Sequence, residues 1–178
     1  MFERFTKPAR EVVVGAVAVA EKRGLQQVTE EDVLVALLTS VDLPADLGLD
    51  KSTVAGVLDD IDTSRRRAGL SDIDADALAS VGIDLDAVVD QIEANLGAGA
   101  LGDQSTRRKP KKHVPFTDGC KATLAGALRQ AVMRTDNEIR REHLLLGLMM
   151  RRTPVADTLA KHGVTVATVY DALDRHSA

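Results

Sequence analysis

The pattern of apolar and polar positions occurs twice along this chain. Residues 5–38 and 116–149 align without a gap at a constant offset of 111, and most apolar positions coincide. Nine aligned pairs are identical: Phe5/Phe116, Thr6/Thr117, Gly15/Gly126, Ala16/Ala127, Ala20/Ala131, Arg23/Arg134, Glu31/Glu142, Leu34/Leu145 and Leu37/Leu148. An internal repeat is stronger evidence about architecture than any single motif. The sequence therefore predicts two related units in tandem.

The first element of each unit is predicted to be a helix. In the second copy, Leu124, Leu128 and Ala131 fall on one helical face. The matching residues 11–20 are rich in valine and, taken locally, resemble a strand. Because two copies of one unit should share one fold, we predict helices in both, the first running from Lys7 to about Arg23.

The second element of each unit is also predicted to be a helix. In the first copy, Thr29 followed by three acids is typical of a capped helix start. In the second copy, Arg140 and Arg141 stand at these positions, and their charge is unfavourable at a helix N-terminus. The chain then ends with predicted helices around 155–162 and 165–175, separated by a turn at Gly163.

The ending of the first unit allows two alignments. Residues 77–90 overlay residues 158–171, which makes residues 41–74 an insertion with one helix around 52–66. The alternative places Leu47-Gly48-Leu49-Asp50 at the turn and makes residues 63–97 the insertion. We prefer the first alignment. The predicted fold is all-α, with two pseudo-symmetric repeats of about four helices each, packed as one globular domain. Repeat one covers 1–97, a Gly- and Pro-rich linker covers 98–115, and repeat two covers 116–178.

Composition places the chain among soluble globular proteins. It has 178 residues, of which 44% are apolar and 28% are charged. With three Phe, one Tyr and no Trp, the core must be built from Leu, Val and Ala. The single cysteine excludes an intramolecular disulfide. No signal peptide and no long apolar run is recognisable, so the expected location is the cytoplasm, without a membrane partner.

The net charge of −4 hides a difference between the two halves. Residues 1–97 carry 9 Lys+Arg against 19 Asp+Glu, whereas residues 98–178 carry 14 against 8. The dense basic run 107–113 can contact nucleic acid, and a small regulatory protein of that kind is the alternative function. However, the run has no interleaved aromatic residues, so a solvated linker is favoured and nucleic acid is an unlikely partner.

Catalytic chemistry is not indicated. No Gly-x-x-x-x-Gly-Lys-Ser/Thr motif occurs, which excludes a P-loop nucleotide hydrolase. The four histidines lack metal-ligand spacing, so neither a metal nor another cofactor is expected. Cys120 aligns with Ala9, which favours a small buried residue over a nucleophile. The sequence predicts a protein that is not an enzyme.

Three segments resemble a known family. Residues 1–6 (Met-Phe-Glu-Arg-Phe-Thr), 113–117 (His-Val-Pro-Phe-Thr) and 142–148 (Glu-His-Leu-Leu-Leu-Gly-Leu) are similar to the N-terminal domain of Clp-family AAA+ unfoldases, especially the ClpC type. The resemblance covers almost the whole chain apart from the insertion. It implies a double Clp repeat without the ATPase modules, that is, a stand-alone N-domain protein.

The resemblance also implies a function and partners. In the family this domain is a docking module for adaptors and substrates, including proteins marked by phosphoarginine, and it is the target of cyclic peptide antibiotics. The expected partners are therefore Clp unfoldase or protease components, adaptors or client proteins, and cyclic peptides. The expected role is to modulate the Clp protease system or to sequester ligands of that domain.

Two kinds of site follow from the resemblance. A peptide-binding groove is expected where the two repeat starts meet, and its matching residues are Phe2, Arg10, Val13, Phe116 and Lys121. Phosphoarginine pockets are expected at Glu31 and Glu142, because a carboxylate near a helix N-terminus can hold a guanidinium while backbone N–H groups meet the phosphate. Around both glutamates this chain departs from the family's Gly-Thr pattern. The alternative, that both are only helix-start residues, stays open.

Overall fold

The computed structural model describes residues 2–40, 47, 49–70, 72–97, 100–101 and 114–175. Its described part contains a short 3-10 helix, Phe2–Arg4, and nine α-helices. They are α1 (Lys7–Lys22), α2 (Glu30–Thr39), α3 (Lys51–Arg66), α4 (Asp72–Ser80), α5 (Leu85–Leu96), α6 (Asp118–Met133), α7 (Arg141–Met149), α8 (Pro154–Lys161) and α9 (Val166–Arg175). The all-α prediction is confirmed, including the helix over the valine-rich residues 11–20.

The first two helices of each repeat pack closely at a glycine. In repeat one, a Cβ added to Gly15 of α1 would lie 3.4 Å from the Cβ of Ala36 in α2. In repeat two, the matching positions are Gly126 and Gly147, and a Cβ on Gly147 would lie 2.5 Å from the backbone oxygen of Thr123. The approach of α7 to α6 is therefore possible only because residue 147 has no side chain.

In each repeat, the short segments that precede the first two helices pair with segments of the other repeat. Phe5 pairs with Ile139 in one parallel bridge, and Val28 pairs with Phe116 in the other. The amide of Ile139 donates to the carbonyl of Arg4 at 2.7 Å, and the amide of Val28 donates to the carbonyl of Pro115 at 2.8 Å. We call this contact the seam. Because the two bridges differ by the same offset of 111, the seam has a pseudo-two-fold axis.

One hydrophobic core spans both repeats. Buried leucines of α2 and α7 lie in the same cluster as the apolar residues of α1, α6, α8 and α9. The cluster includes Leu34, Leu37, Leu145 and Leu148, each at most 1% exposed. Because this apolar cluster is shared, burial of its side chains stabilises the two repeats together.

Helix α3 belongs to this core, whereas α4 and α5 lie outside it. Val57 and Ile61 of α3 are in the core cluster, and the ring of His162, just after α8, lies against Gly56. Helix α4 has no buried residue, and α5 buries only Leu85 and Val89. The position of the insertion stays a prediction with two alternatives. The alternative, in which residues 63–97 are the insertion, makes α3 part of repeat one and is favoured by the packing of α3 on the core.

Candidate functional site

The seam places the N-termini of helices from opposite repeats side by side. The amide of Thr117, the residue before α6, donates to the carbonyl of Val28, just before α2, at 3.0 Å. In the second bridge the amide of Thr6, before α1, donates to the carbonyl of Ile139, just before α7, also at 3.0 Å. Neighbouring helix N-termini present backbone N–H groups and positive partial charge, so each pair favours a negatively charged group.

At the α2/α6 pair, the chain supplies that group itself. The carboxylate of Glu30 lies against the start of α6, where a Cβ on Gly119 would be 2.6 Å from its Oε2 atom. Arg151 holds Glu30 from the other side, with its Nε atom 3.2 Å from Oε1. The same guanidinium donates to the carbonyl of Gly119 at 3.3 Å. This pair of helix starts is therefore closed by the chain's own charged side chains.

At the α1/α7 pair, the offset of 111 puts Arg141 in place of Glu30 and Pro8 in place of Gly119. The carboxylate of the first pair is thus replaced by a cation. A pocket of about 400 Å³ lies here between α1, α2 and the start of α7. Its lining consists of Pro8, Glu11, Gly15, Val19, Ala36, Thr39, Ser40 and Arg141. The two ends of the seam therefore have the same backbone pairing, but one has the carboxylate of Glu30 where the other has the guanidinium of Arg141.

The two glutamates expected to bind phosphoarginine have different surroundings. Glu31 is half-buried, with the guanidinium Nε of Arg65 at 3.5 Å and Nη2 of Arg23 at 3.9 Å from its Oε2 atom. Glu142 is only 6% exposed. Among the described residues, no Lys, Arg or His nitrogen lies within ion-pair distance of Glu142. The first carboxylate is therefore already engaged by two arginines of this chain, whereas the second is not.

The start of α7 is capped by an imidazole. The Nδ1 atom of buried His143 accepts a hydrogen bond from the backbone N–H of Arg140 at 3.0 Å. Since Nδ1 is an acceptor, the proton of the neutral ring is on Nε2, which donates to Asp136 at 3.0 Å. Asp32 has the matching role in repeat one, where its carboxylate accepts from the amide of Thr29 at 2.8 Å. In repeat two, His143 thus caps the helix start at the position where repeat one has the carboxylate of Asp32.

Burial lowers the pKa of His143, an effect that the nearby charge of Asp136 only partly offsets. The unfolded chain has the ordinary histidine pKa of about 6.5, so it takes up a proton more readily than the folded chain. The contribution of His143 to stability is therefore complete above that pH. It is lost as the pH falls towards the lower folded-state pKa.

We expect urea unfolding to show this loss between about pH 7.5 and pH 5.5. In His143→Asn the titrating group is gone, so the decrease in unfolding free energy over this interval should be smaller than in the wild type. Asn95→Ala, which removes an exposed polar side chain of α5 and changes no titrating group, is the control and should keep the wild-type decrease. An unchanged pH dependence in His143→Asn would contradict the assignment.

The residues predicted to form the peptide-binding groove differ in exposure. Val13 is buried, and Phe116 is half-buried with its ring packed against the core. Arg10 and Lys121 are exposed, and Lys121 pairs with Asp118 at 2.8 Å. The side chain of Phe2 lies outside the described part of the structure. The groove therefore stays a prediction, with Phe116 placed at the seam by its bridge to Val28.

The remaining candidates are the Cys120 thiol, a metal cluster and the basic run 107–113. Cys120 is buried, and burial, with smaller effects from Glu30 and Asp32, raises the pKa of its thiol to about 12. A thiol of this kind stays protonated at neutral pH and is a poor nucleophile. In the described part of the chain, no cluster of His, Cys, Asp and Glu could hold a metal ion. No helix there is long and apolar enough to cross a membrane. The basic run 107–113 lies outside the described residues.

The sequence missed two features of this site. The pairing of Arg65 with Glu31 joins helices α3 and α2, and no local pattern indicates it. The cap by His143 did leave a signal, because the offset of 111 aligns His143 with Asp32 of the Thr29 capping box. If His143 is assigned the capping role of the aligned Asp32, the cap of α7 is predicted from the sequence.

Comparisons with known proteins give one consistent result. The family model described as "Clp repeat (R) N-terminal domain" matches residues 70–162 and 115–177, which is more than half of the chain. Among solved structures, the N-terminal domain of the caseinolytic protease associated chaperone ClpD from Arabidopsis thaliana is 18% identical, with a TM-score of 0.58. The match covers 98% of this chain and 97% of that one.

Two further structures have the same fold. The Hsp104 N-terminal domain from Candida albicans is 17% identical with a TM-score of 0.53, and the match covers 93% of this chain and 85% of that one. A chain from structural work on a malarial protein secretion system is 15% identical with a TM-score of 0.54. That match covers 97% of this chain and 94% of the other. At these identities the likeness shows the fold alone.

Proposed function

Because the chain belongs to the Clp repeat (R) N-terminal domain family, we propose that it is a non-catalytic docking module for proteins and peptides. Its partners in this proposal are Clp unfoldase or protease components, their adaptors or client proteins. Binding them would modulate the Clp protease system, and binding cyclic peptides would sequester ligands of that domain. A buried, protonated thiol at Cys120 agrees with a role without catalysis.

The observation that carries this proposal is the unequal filling of the seam. At one end, Glu30 and Arg151 occupy the helix starts, and Arg23 and Arg65 engage Glu31. At the other end, Arg141 stands in place of Glu30, and the pocket of about 400 Å³ is present. We infer that the ligand binds at this second end, where the pocket between α1, α2 and Arg141 provides the space.

The chemistry at the available end suits a ligand with both a cation and an anion. Buried Glu142 can accept hydrogen bonds from a guanidinium, and such charge-assisted bonds are stronger than neutral ones. Arg141 and the N-terminus of α7 are next to it along the chain and favour an anionic group. Phosphoarginine combines a planar guanidinium-type group with a phosphate. We therefore assign this ligand to Glu142 rather than to Glu31.

Calorimetry with a phosphoarginine peptide tests the assignment. We expect binding that Glu142→Gln weakens about tenfold or more, since a charge-assisted hydrogen bond contributes about 1.5–3 kcal/mol. Glu31→Gln is the matched control and should change the affinity by less than about twofold, because Arg23 and Arg65 already engage that carboxylate. Equal effects of the two substitutions would contradict the assignment. The same peptide with unmodified arginine or phosphoserine measures the contribution of each group.

The docking function has its own test, which does not depend on phosphoarginine. The immobilised chain is exposed to a purified ClpC-type unfoldase, to a Clp adaptor and to family-type cyclic peptides. Retention of at least one of them, weakened by Arg10→Ala in the first turn of α1 but not by the exposed Lys22→Ala at its last turn, is expected. Failure to retain any of the three by a chain whose circular dichroism is fully helical would overturn the proposal.

A further inference from the structure

Helices α4 and α5 form a hairpin whose sequence is similar to that of α8 and α9. Their sequences align at an offset of 81, as residues 77–90 and 158–171. The turns have the same hydrogen bond, from Ile83 to the carbonyl of Leu78 at 2.9 Å and from Val164 to the carbonyl of Leu159 at 3.0 Å. Both turns contain a glycine with positive φ, +84° at Gly82 and +76° at Gly163. The two hairpins therefore share a sequence pattern and the same type of turn.

The two hairpins differ in what covers their apolar residues. In the α8–α9 hairpin, Val164 and Val169 are 1% and 0% exposed and lie in the core, where α9 packs on α7. At the matching positions of the α4–α5 hairpin, Ile83 is 44% exposed and Val88 is 42% exposed. Leu96, two turns further along α5, is 76% exposed. We call Ile83, Val88 and Leu96 the hairpin face. Ile83 and Val88 thus present to solvent two positions that the α8–α9 hairpin buries.

The negative charge of α4 and α5 limits the kinds of partner that could cover the hairpin face. Residues 72–97 contain seven carboxylates and no lysine or arginine. Among the described residues, three cations from other elements pair with them, namely Arg66, Arg67 and Lys161, each with at least one contact of 2.8–2.9 Å. Four negative charges are left over when these three are counted. An occupant with positive charges around its apolar surface is therefore complementary.

The chain itself is a poor source of this occupant. The linker residues 102–113 are basic, but they contain no Val, Ile, Leu, Met or Phe to cover an apolar face. A second copy of the hairpin would bring two strongly acidic surfaces together, which is electrostatically unfavourable. The helix that covers the α8–α9 hairpin, α7, shows the required shape: an apolar run through Leu144, Leu145, Leu146 and Leu148.

We propose that the hairpin face is a second docking site, which binds an amphipathic helix of a partner protein. The bound helix has apolar residues at i, i+3/i+4 and i+7 and lysine or arginine on both flanks. Its apolar side takes the place that α7 has against α8 and α9. Its cations meet the surplus carboxylates of α4 and α5. This site is separate from the seam and does not rest on the function proposed for it.

A synthetic helix serves as the probe. We compare a fluorescent peptide of about 18 residues with leucine on one face and lysine elsewhere with a peptide that has glutamate instead of lysine. Binding to the full chain is followed by anisotropy at about 50 and 300 mM NaCl. We expect the Leu/Lys peptide to bind about tenfold or more tightly than the Leu/Glu peptide, with weaker binding at the higher salt.

Paired variants locate the site. Ile83→Ser with Val88→Ser is expected to weaken the Leu/Lys peptide about tenfold, since two apolar contacts are lost. The control combines Val14→Ser with Val132→Ser, two side chains that are 69% and 53% exposed outside the hairpin, and should change the affinity by less than about twofold. All four side chains are exposed, so the fold should persist, and circular dichroism checks that it does.

Three outcomes would overturn the proposal. Equal affinity for the Leu/Lys and Leu/Glu peptides would remove the argument from charge. Equal weakening by both double variants, or by neither, would show binding outside the hairpin face. Sedimentation that shows a dimer of the chain, abolished by Ile83→Ser with Val88→Ser, would identify the occupant as a second copy. None of these outcomes affects the seam, which Glu142→Gln tests separately.

Discussion

Replacing Gly147 with alanine is expected to lower the free energy of unfolding by about 2 kcal/mol or more. The added Cβ would lie 2.5 Å from the carbonyl oxygen of Thr123 and 3.0 Å from the amide nitrogen of Ala127. Both atoms belong to the backbone of α6, so they cannot move aside as a flexible side chain could. Helices α6 and α7 must separate instead, and the core between them loses contacts.

Gly126→Ala is the matched control for this prediction. It introduces the same methyl group on the opposite side of the same helix crossing, where the nearest atom is the Cα of Gly147 at 3.4 Å. That distance is an ordinary contact, and alanine is a better helix former than glycine by about 1 kcal/mol. Gly126→Ala should therefore be neutral or slightly stabilising in urea unfolding. Similar losses in both variants would show that the close approach at Gly147 is not what limits the packing.

Asp32→Ala is expected to destabilise the chain by about 3 kcal/mol or more, because it removes one partner of a buried ion pair. The Asp32 side chain is 0% exposed and binds the guanidinium of Arg23. It also accepts hydrogen bonds from the backbone N–H and the hydroxyl of Thr29, each at 2.8 Å. Alanine would leave the cation without its main partner and the start of α2 without part of its cap.

Two further variants separate the causes of this loss. Asp32→Asn keeps an oxygen that can accept from the amide of Thr29 but removes the charge, so its loss should be smaller than that of Asp32→Ala. Asp59→Ala removes an exposed carboxylate from α3 and should change the unfolding free energy by no more than about 0.5 kcal/mol. If Asp32→Ala behaved like Asp59→Ala in urea unfolding, the buried pair would contribute nothing to stability.

The two repeats cap the start of their second helix with different side chains. Repeat one caps its second helix with the carboxylate of Asp32, which is paired directly with Arg23. Repeat two uses the neutral ring of His143, which reaches the matching Arg134 only through Asp136, 3.5 Å from the Nε atom of the guanidinium. The backbone geometry of the cap is kept while its charge changes. As a result, the cap of repeat two is expected to respond to pH near neutrality.

The sequence by itself determined the helical class, the repeat and most helix boundaries. These features depend on local chemistry: the caps at Thr6, Thr29 and Thr117 accept from amides three residues ahead. The repeat also corrected a misleading local pattern, since residues 11–20 resemble a strand but form part of α1. The β-branched side chains of residues 11–20 alone favour a strand, and only the comparison with the helical second copy predicts the helix.

Only the tertiary structure decided how the two repeats join and which end of the seam is filled. Phe5 could have paired with its own repeat's Val28, but it pairs with Ile139 of the other repeat. Arg65 reaches Glu31 because α3 packs on the shared core, and the hairpin face is exposed because no described helix covers it as α7 covers α8 and α9. These contacts join residues far apart in sequence, and their free energy depends on packing and desolvation that no local pattern encodes.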